Sequence, residues 1–341
     1  MKRFCLVFAI GIASIASNAF SQQGPYKVLK TVKVGGAGGF DYVYADSAGR
    51  RLYVPRTGPS PRINVFDLDT LEPVGEISNT NARGVAVDNK SGHGFATSKP
   101  VAMWDAKSLA IIKTIEVQGN PDGILSDPFN GRIYIFSHSA PNTTVIDAKD
   151  GSILGTIDLE GAPEQAVSDG KGHVYVDIED KDNIAVIDAK TMKVTAHYDL
   201  AGKGGTCAGL AIDVKTNILF ASCRKPQTMV MMNAADGKIV EALPIGGGTD
   251  GAVFNPATSE AFSSQGDGTL TIVKEKSRTS FAVEQTVETP QRAKTLTLDS
   301  KTGNILLITA EFGPAPATPP GGRPARGQMI ADSFSIVVVG K

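Results

Sequence analysis

The sequence is poor in the side chains that most cofactors require. Its 341 residues include one Trp, three Cys and four His. A haem or a multinuclear copper centre built from several histidines is therefore not expected. The single Trp argues against a quinone cofactor held by repeated tryptophans. No Gly-rich phosphate loop, Ser-centred nucleophile elbow or paired CxxC motif occurs. We predict no cofactor and no metal.

Neither sign of charge dominates the chain. It has 34 Lys and Arg residues against 35 Asp and Glu, a net charge of -1. Because nucleic acids and anionic membranes attract proteins through excess positive charge, the composition indicates no nucleic-acid partner. With 41% hydrophobic and 20% charged residues, the chain has enough apolar material for one large core or two ordinary ones.

A long hydrophobic run occurs at the amino terminus. Basic residues at 1–3, an apolar run at 4–16 and small residues at 17–21 are typical of a secretory signal peptide cleaved after Ala19 or Ser21. The run is short for a stable membrane span, although a membrane anchor is the alternative. We therefore predict a signal peptide at 1–21 and one periplasmic or secreted domain at 22–341, without a membrane span after cleavage.

A unit of four short strand patterns recurs along the chain. Its clearest copy is 119–159, where runs rich in Ile, Val and Thr alternate with tight turns. Successive copies lie 42, 39, 42, 44, 42 and 44 residues apart when aligned on the residue that closes the first strand. These residues are Asp46, Asp88, Asp127, Asp169, Asp213, Asn255 and Asp299. Seven such units predict an all-β, seven-bladed β-propeller of four-stranded antiparallel blades.

The last unit is incomplete at its carboxyl end. It has three strand patterns, at 293–299, 304–311 and 333–340, whereas an extra fourth-strand pattern stands at 26–34. Pairing the N-terminal strand with the C-terminal one would complete the last blade and remove an exposed sheet edge. We therefore predict that the N-terminal strand closes the ring.

The repeats also resemble a known family. The tetrads at 53–56, 134–137 and 175–178, with the Val-Ile-Asp-Ala-Lys segment at 145–149, are similar to the YVTN repeat of extracytoplasmic propellers, which include the YncE-like proteins. The resemblance implies the propeller fold. It does not imply one activity, because related propellers include sugar lactonases, streptogramin lyases and the haem d1 domain of nitrite reductases.

Two positions in each blade should face one opening of the central channel, which we call the mouth. The start of the first strand and the end of the second lie at the same end of an antiparallel sheet. The resulting candidates for a site are Asp41, Arg56, Arg83, Lys99, Asp122, His138, Glu164, Glu179, Arg224, Asp250 and Lys294.

The order of these residues predicts a mouth with two poles. Arg56, Arg83, Lys99 and Lys294 come from blades seven, one and two, whereas Asp122, Glu164 and Glu179 come from blades three and four. One interpretation is a solvated rim held by ion pairs between blades. The other is a ligand site in which the basic arc binds a carboxylate or phosphate.

Two functions fit this site. The first is a binding or scaffold protein, a monomer whose mouth takes a small anionic ligand, a peptide or an envelope protein. The second is an enzyme of the lactonase or lyase type, in which His138 and Glu164 act as acid and base. The second requires the two side chains to approach to about 3 Å, directly or through one water.

Two cysteines remain after the predicted cleavage. Cys207 begins the first strand of blade five and Cys223 ends the second, which places them close to opposite each other. A disulfide is the favoured state, because neighbouring strands supply the Cα separation it needs. Free thiols, or a metal site that also uses His138, are the alternatives.

One long segment lacks any strand pattern. Residues 312–331 contain several prolines and glycines and connect the second and third strands of blade seven, on the face of the mouth. As a lid, the segment would bring Arg323 and Arg326 over the opening. As a plain insertion, it would have no role in binding.

Overall fold

The protein is a seven-bladed β-propeller. The computed structural model describes residues 24–316 and 327–341, which form seven four-stranded antiparallel sheets. The predicted fold is confirmed. Within these two ranges no helix is long and apolar enough to cross a membrane. The predicted signal peptide lies outside the described residues, as do Arg323 and Arg326.

Blades one to six are simple meanders in chain order, and in every blade the first strand of the repeat is innermost. Blades one to three comprise β2–β5 (Tyr44–Asp46, Arg51–Arg56, Arg62–Asp67, Pro73–Ser78), β6–β9 (Val85–Asp88, His93–Ala96, Val101–Asp105, Ile111–Ile115) and β10–β13 (Pro121–Asp127, Arg132–Ser137, Asn142–Asp147, Ile153–Asp158). Blades four to six comprise β14–β17 (Pro163–Ser168, His173–Ile178, Asn183–Asp188, Lys193–Asp199), β18–β21 (Cys207–Asp213, Ile218–Arg224, Gln227–Asn233, Ile239–Pro244) and β22–β25 (Thr249–Asn255, Glu260–Gln265, Thr269–Ser277, Ser280–Glu288). Blade seven comprises β26–β28 (Leu296–Leu298, Ile305–Thr309, Ser335–Gly340) and β1 (Lys27–Lys33).

The recurring Asp or Asn at the end of each first strand caps the turn that follows. In all seven blades its side-chain oxygen accepts a backbone N–H two or three residues later, over 2.7–3.1 Å. Such side chains stabilise tight turns because they satisfy N–H groups that no strand partner reaches. The same geometry recurs after the third strands, for example from Lys149 N to Asp147 at 2.8 Å.

The core lies between the blades rather than in the channel. Aromatic side chains of the second strands are almost fully buried, as Tyr53 and Tyr134 show at 0% exposure. Tyr134 packs in one cluster with Val174 and Val176 of the next blade. The single Trp104 belongs to the cluster between blades one and two, 6.0 Å from the ring of Tyr53. Each blade therefore buries both faces against its neighbours, as a ring of sheets requires.

The two ends of the chain close the ring. Strand β1 pairs antiparallel with β28, from Lys27 opposite Gly340 to Lys33 opposite Ser335. Just before β1, Tyr26 is anchored to blade six, because the Gln285 side chain accepts a bond from the Tyr26 N–H (3.0 Å) and donates one to its carbonyl (2.7 Å). The N-terminal strand thus joins the last two blades.

Cys207 and Cys223 form a disulfide. They lie directly opposite each other on β18 and β19, so the bond crosses between the two inner strands of blade five. Of the three states considered for these cysteines, the disulfide is the one present in the structure.

We predict that removal of β1 destabilises the whole ring. A chain beginning at Val34 leaves β28 as an open edge, so its unfolding midpoint should fall by roughly 10 °C or more and the protein should associate through that edge. Thermal unfolding and light scattering measure both effects. A chain beginning at Pro25 is the control and should behave as the mature protein does. Equal midpoints and a monomer in both chains would contradict the closing role of β1.

Candidate functional site

One position of the repeat supplies most of the charged side chains at the mouth. It is the fifth residue before the Asp or Asn that closes each first strand, and it is charged in six of the seven blades. These residues are Asp41, Arg83, Asp122, Glu164, Asp250 and Lys294. In blade five the position is Ala208, and Arg224 at the end of the second strand supplies the charge instead. Because the first strands are innermost, this position forms a ring around the channel.

Arg83 joins the first three blades across the mouth. One of its guanidinium nitrogens lies 3.8 Å from Asp41 of blade one and 3.4 Å from Asp122 of blade three. These separations are long for charge-assisted hydrogen bonds, and 56% of the Arg83 side chain is exposed. The cation therefore stays accessible from solvent.

Tighter pairs join blades four to seven and return to blade one. Arg224 lies 2.5 Å from Glu179 and also contacts Asp250. Lys294 contacts the other oxygen of Asp250 and lies 3.6 Å from Asp41. Through Asp41 the chain of ion pairs meets Arg83 again.

His138 connects the two halves of the ring. Its Nδ1 lies 3.4 Å from Glu164 and its Nε2 lies 3.7 Å from Glu179, so the imidazole stands between two carboxyl groups of blade four. With His138 protonated, every junction between neighbouring blades is crossed by an ion pair at the mouth. We call this set of side chains the charge ring.

The charge ring alternates in sign, whereas the sequence predicted one basic arc and one acidic arc. The difference arises because Asp41 stands between Arg83 and Lys294, and Asp250 stands between Lys294 and Arg224. Arg56 does not reach the mouth at all. Its side chain is 1% exposed, donates to the carbonyls of Gly35 and Gly36 and stacks on Phe334 at 3.8 Å.

A cavity of about 710 Å³ occupies the mouth above the charge ring. Its lining includes Arg83 and Lys99 of blade two and, from the next two blades, His138 and Glu164. Lys99 is exposed and donates to the carbonyl of Gly119 at 2.6 Å. The cavity thus presents two accessible cations together with an imidazole and a carboxyl group. Glu179 and Arg224 lie outside its lining.

Burial changes the acidity of several groups at the mouth. Desolvation, followed by repulsion from Glu179, raises the pKa of Glu164 to about 8, although Arg224 acts in the opposite direction. Desolvation also raises the pKa of Asp122, and it raises the pKa of Tyr42 well above its usual range. Glu164 is therefore a carboxyl group that holds its proton near neutral pH, which is the condition for acid and base chemistry.

Two residues that the sequence interpretation did not single out also shape the channel. Tyr42 lines the mouth cavity, with its hydroxyl 3.5 Å from Glu164. Gln165 extends across the channel, where its Oε1 accepts from Leu210 N (3.1 Å) and Ala252 N (2.9 Å). Both stand one position after the charged residue, where four other blades have glycine. Large polar side chains at a position where four other blades have glycine are the sequence signal that could have identified these two residues.

The glycines at this position let the inner strands approach closely. A Cβ on Gly209 would lie 2.6 Å from the backbone of Gly251 in the next blade. A larger residue there would push the inner ends of these two blades apart. The narrow channel below the mouth therefore depends on glycine in some blades and is bridged by Gln165 from another.

One set of potential metal ligands comes together within the described part of the chain. Single ligand atoms of His138, Glu164 and Glu179 lie within 4.8 Å of one another. Both ring nitrogens of His138 already face a carboxyl group, and Arg224 neutralises Glu179. Ion pairing thus accounts for the cluster without a cation, and the absence of a metal and of a cofactor stays a prediction.

Comparisons with known proteins identify the fold alone. No family model and no curated protein matches the chain. By contrast, 1693 chains of solved structures match its shape. One of them, a chain in the crystal structure of the mitotic checkpoint complex, has a TM-score of 0.72 and 11% sequence identity, over 90% of this chain and 96% of that chain. At that identity the likeness carries no information on ligand or activity.

The raised pKa of Glu164 predicts that the stability of the folded protein depends on pH. Between its ordinary pKa of 4.5 and about 8, the folded protein keeps a proton that the unfolded chain has released, so stability falls as the pH rises through this window. Glu164→Gln removes this titration. Its unfolding midpoint should rise relative to the unmodified protein between about pH 5 and about pH 9.

The comparison of the two curves isolates Glu164. Glu275, whose pKa is also raised by burial, to about 7, is present in both proteins and cancels. A difference in midpoint that stays constant with pH would show that Glu164 titrates in its ordinary range.

Proposed function

We propose that this protein is an extracytoplasmic propeller that binds a small anionic ligand in the mouth cavity. The observation that carries the proposal is the pair of accessible cations, Arg83 and Lys99, on one wall of a cavity of about 710 Å³. A cavity of this size fits a metabolite, and two adjacent cations suit a carboxylate or phosphate. His138 and Glu164, on the next two blades, would orient the rest of the molecule.

The remaining parts of the charge ring have a supporting role in this proposal. Glu179 and Asp250 both pair with Arg224, and Asp250 also pairs with Lys294, so these groups do not need a ligand for neutralisation. Lys294 lies at the edge of the cavity, where its contacts with Asp41 and Asp250 hold it toward the bound anion. Asp122 positions Arg83.

The proposed location follows from the leader at 1–21 and from the similarity of the repeats to YVTN and YncE-like propellers. A periplasmic or secreted protein meets oxidising conditions, with which the Cys207–Cys223 disulfide is compatible. The natural ligand would then be an envelope metabolite, and a peptide or envelope protein bearing a carboxylate is the larger variant of the same chemistry.

A thermal-shift screen of organic acids and phosphate esters on the mature protein tests the binding proposal. Arg83→Ala and Lys294→Ala should each abolish the stabilisation that a bound ligand produces, since each removes a cation from the cavity wall. Arg50→Ala is the matched control. Arg50 also bridges two carboxylates, Asp69 and Asp299, but on the opposite face.

The control separates loss of an ion pair from loss of the site. Arg50→Ala should lower the unfolding midpoint and keep the ligand-induced shift. Ligand shifts that persist in both Arg83→Ala and Lys294→Ala would rule out the mouth as the anion site.

The second candidate function is a propeller enzyme of the lactonase or lyase type. It is favoured by the 3.4 Å separation of His138 Nδ1 and Glu164 and by the pKa of about 8 at Glu164. In this mechanism the ligand anion is held by Arg83 and Lys99. Glu164 donates or accepts a proton at the reacting bond, and His138 orients it or exchanges the proton.

Hydrolysis of a panel of lactones, measured through the protons that it releases, tests the catalytic alternative. His138→Ala and Glu164→Gln should each lower the rate by about 100-fold or more, the usual contribution of a positioned acid or base. Arg50→Ala should retain full activity. Hydrolysis that is unaffected by both substitutions, or absent in the unmodified protein, would contradict this alternative and leave the binding proposal standing.

A further inference from the structure

A second cavity opens beside the mouth on the same face. It has a volume of about 560 Å³ and is lined mainly by apolar side chains, among them Phe40, Phe312 and Met329. It shares Gly39, Phe40 and Lys294 with the mouth cavity. We call this second cavity the apolar pocket. Because the two cavities share these lining residues, they adjoin each other on this face.

The outer wall of the apolar pocket is held in place by backbone pairing and by a cation–π contact. Phe312 and Met329 face each other in a β-bridge, and Gly313 N donates to the carbonyl of Gln328 at 2.8 Å. The guanidinium of Arg292 stacks on the Phe312 ring at 4.0 Å. These contacts hold the two apolar side chains at the edge of the pocket.

The inner wall is equally fixed. Gly39 and Thr57 exchange two backbone hydrogen bonds of 2.9 Å, which set the position of the neighbouring Phe40. The Phe40 ring packs on buried Phe334 with 5.0 Å between centroids. A cavity with walls preformed in this way binds at low ordering cost.

Cations border the apolar pocket. Lys294 stands where it meets the mouth, and Arg292 lies in its lining. The border therefore attracts an anionic molecule and repels a cationic one.

We infer that the ligand of the mouth is an anionic amphiphile whose acyl or aryl group occupies the apolar pocket. The inference rests on the proposed function and narrows its ligand class. The head, a carboxylate or phosphate, lies among the cations of the mouth. The tail extends past Lys294 and covers the half-buried faces of Phe40, Phe312 and Met329. Small-molecule sites commonly combine a mostly apolar cavity of this size with a few convergent polar groups.

Straight-chain carboxylates test the inference directly. Titration calorimetry with acetate, butyrate, hexanoate and octanoate should show affinity rising about two- to fourfold for each methylene that the apolar pocket buries. Octylammonium, which has the same chain and the opposite charge, should bind at least about tenfold more weakly than octanoate. Equal affinity for acetate and octanoate, or for octanoate and octylammonium, would overturn the inference.

Substitutions in the apolar pocket test whether the dependence of affinity on chain length arises there. Phe312→Ala and Met329→Ala should flatten the dependence on chain length, whereas Phe312→Leu, which keeps an apolar side chain of similar reach, should preserve it. Unfolding midpoints show that each variant is folded. A dependence on chain length that survives both alanine substitutions would place the tail elsewhere and overturn the inference.

The same titrations separate this inference from the binding proposal. Arg83→Ala should weaken all carboxylates by a similar factor and leave the dependence on chain length intact. If affinity is flat with chain length but still requires Arg83, the apolar pocket is wrong and the mouth site stands. If affinity rises with chain length and Arg83→Ala has no effect, the mouth site is wrong.

Discussion

The antiparallel pairing of β1 with β28 is the constraint on which the rest of the structure depends. It joins residues from the two ends of the chain, Lys27–Lys33 and Ser335–Gly340, and so turns a row of seven meanders into a closed ring. In an open row the first and last blades would each expose an apolar face and a strand edge. Closure buries both faces of every blade and brings seven inner strands to one axis. A mouth exists only because of this convergence.

Closure also explains why one repeat position can form a continuous electrostatic structure. Exposed ion pairs contribute only about 0.2–1 kcal/mol each, so the charge ring is a weak source of stability. Its stronger effect is positional. Each carboxylate between two cations, as Asp250 is between Arg224 and Lys294, fixes both side chains toward the channel. Where the pairs are longest, around Arg83, the cation stays half-exposed, and the same spacing that weakens the pair leaves the group available to a ligand.

Strand order, blade number and ring closure were predictable because they follow from local patterns: turn-capping Asp or Asn residues that recur every 39 to 44 residues, and alternating apolar runs. The positions at the mouth followed from the same register. The directions in which the side chains point could not be predicted from the register. Arg56 occupies a predicted mouth position, yet it turns toward the carbonyls of Gly35 and Gly36, a contact between the end of a strand and the segment before blade one that no periodicity encodes. The alternation of charge depends likewise on which neighbours face each other across blades. The proximity of Cys207 and Cys223, which form a disulfide, could be predicted from the strand register alone.

The central claim is that the mouth cavity is a binding site for an anion. A crystal structure of the mature protein with a ligand obtained by screening tests it most directly. We expect a carboxylate or phosphate oxygen within about 3.5 Å of Arg83 or Lys99, with the remainder of the molecule facing His138 and Glu164. A ligand bound on the outer strands or at the opposite end of the channel, with Arg83 contacting only Asp41 and Asp122, would contradict it.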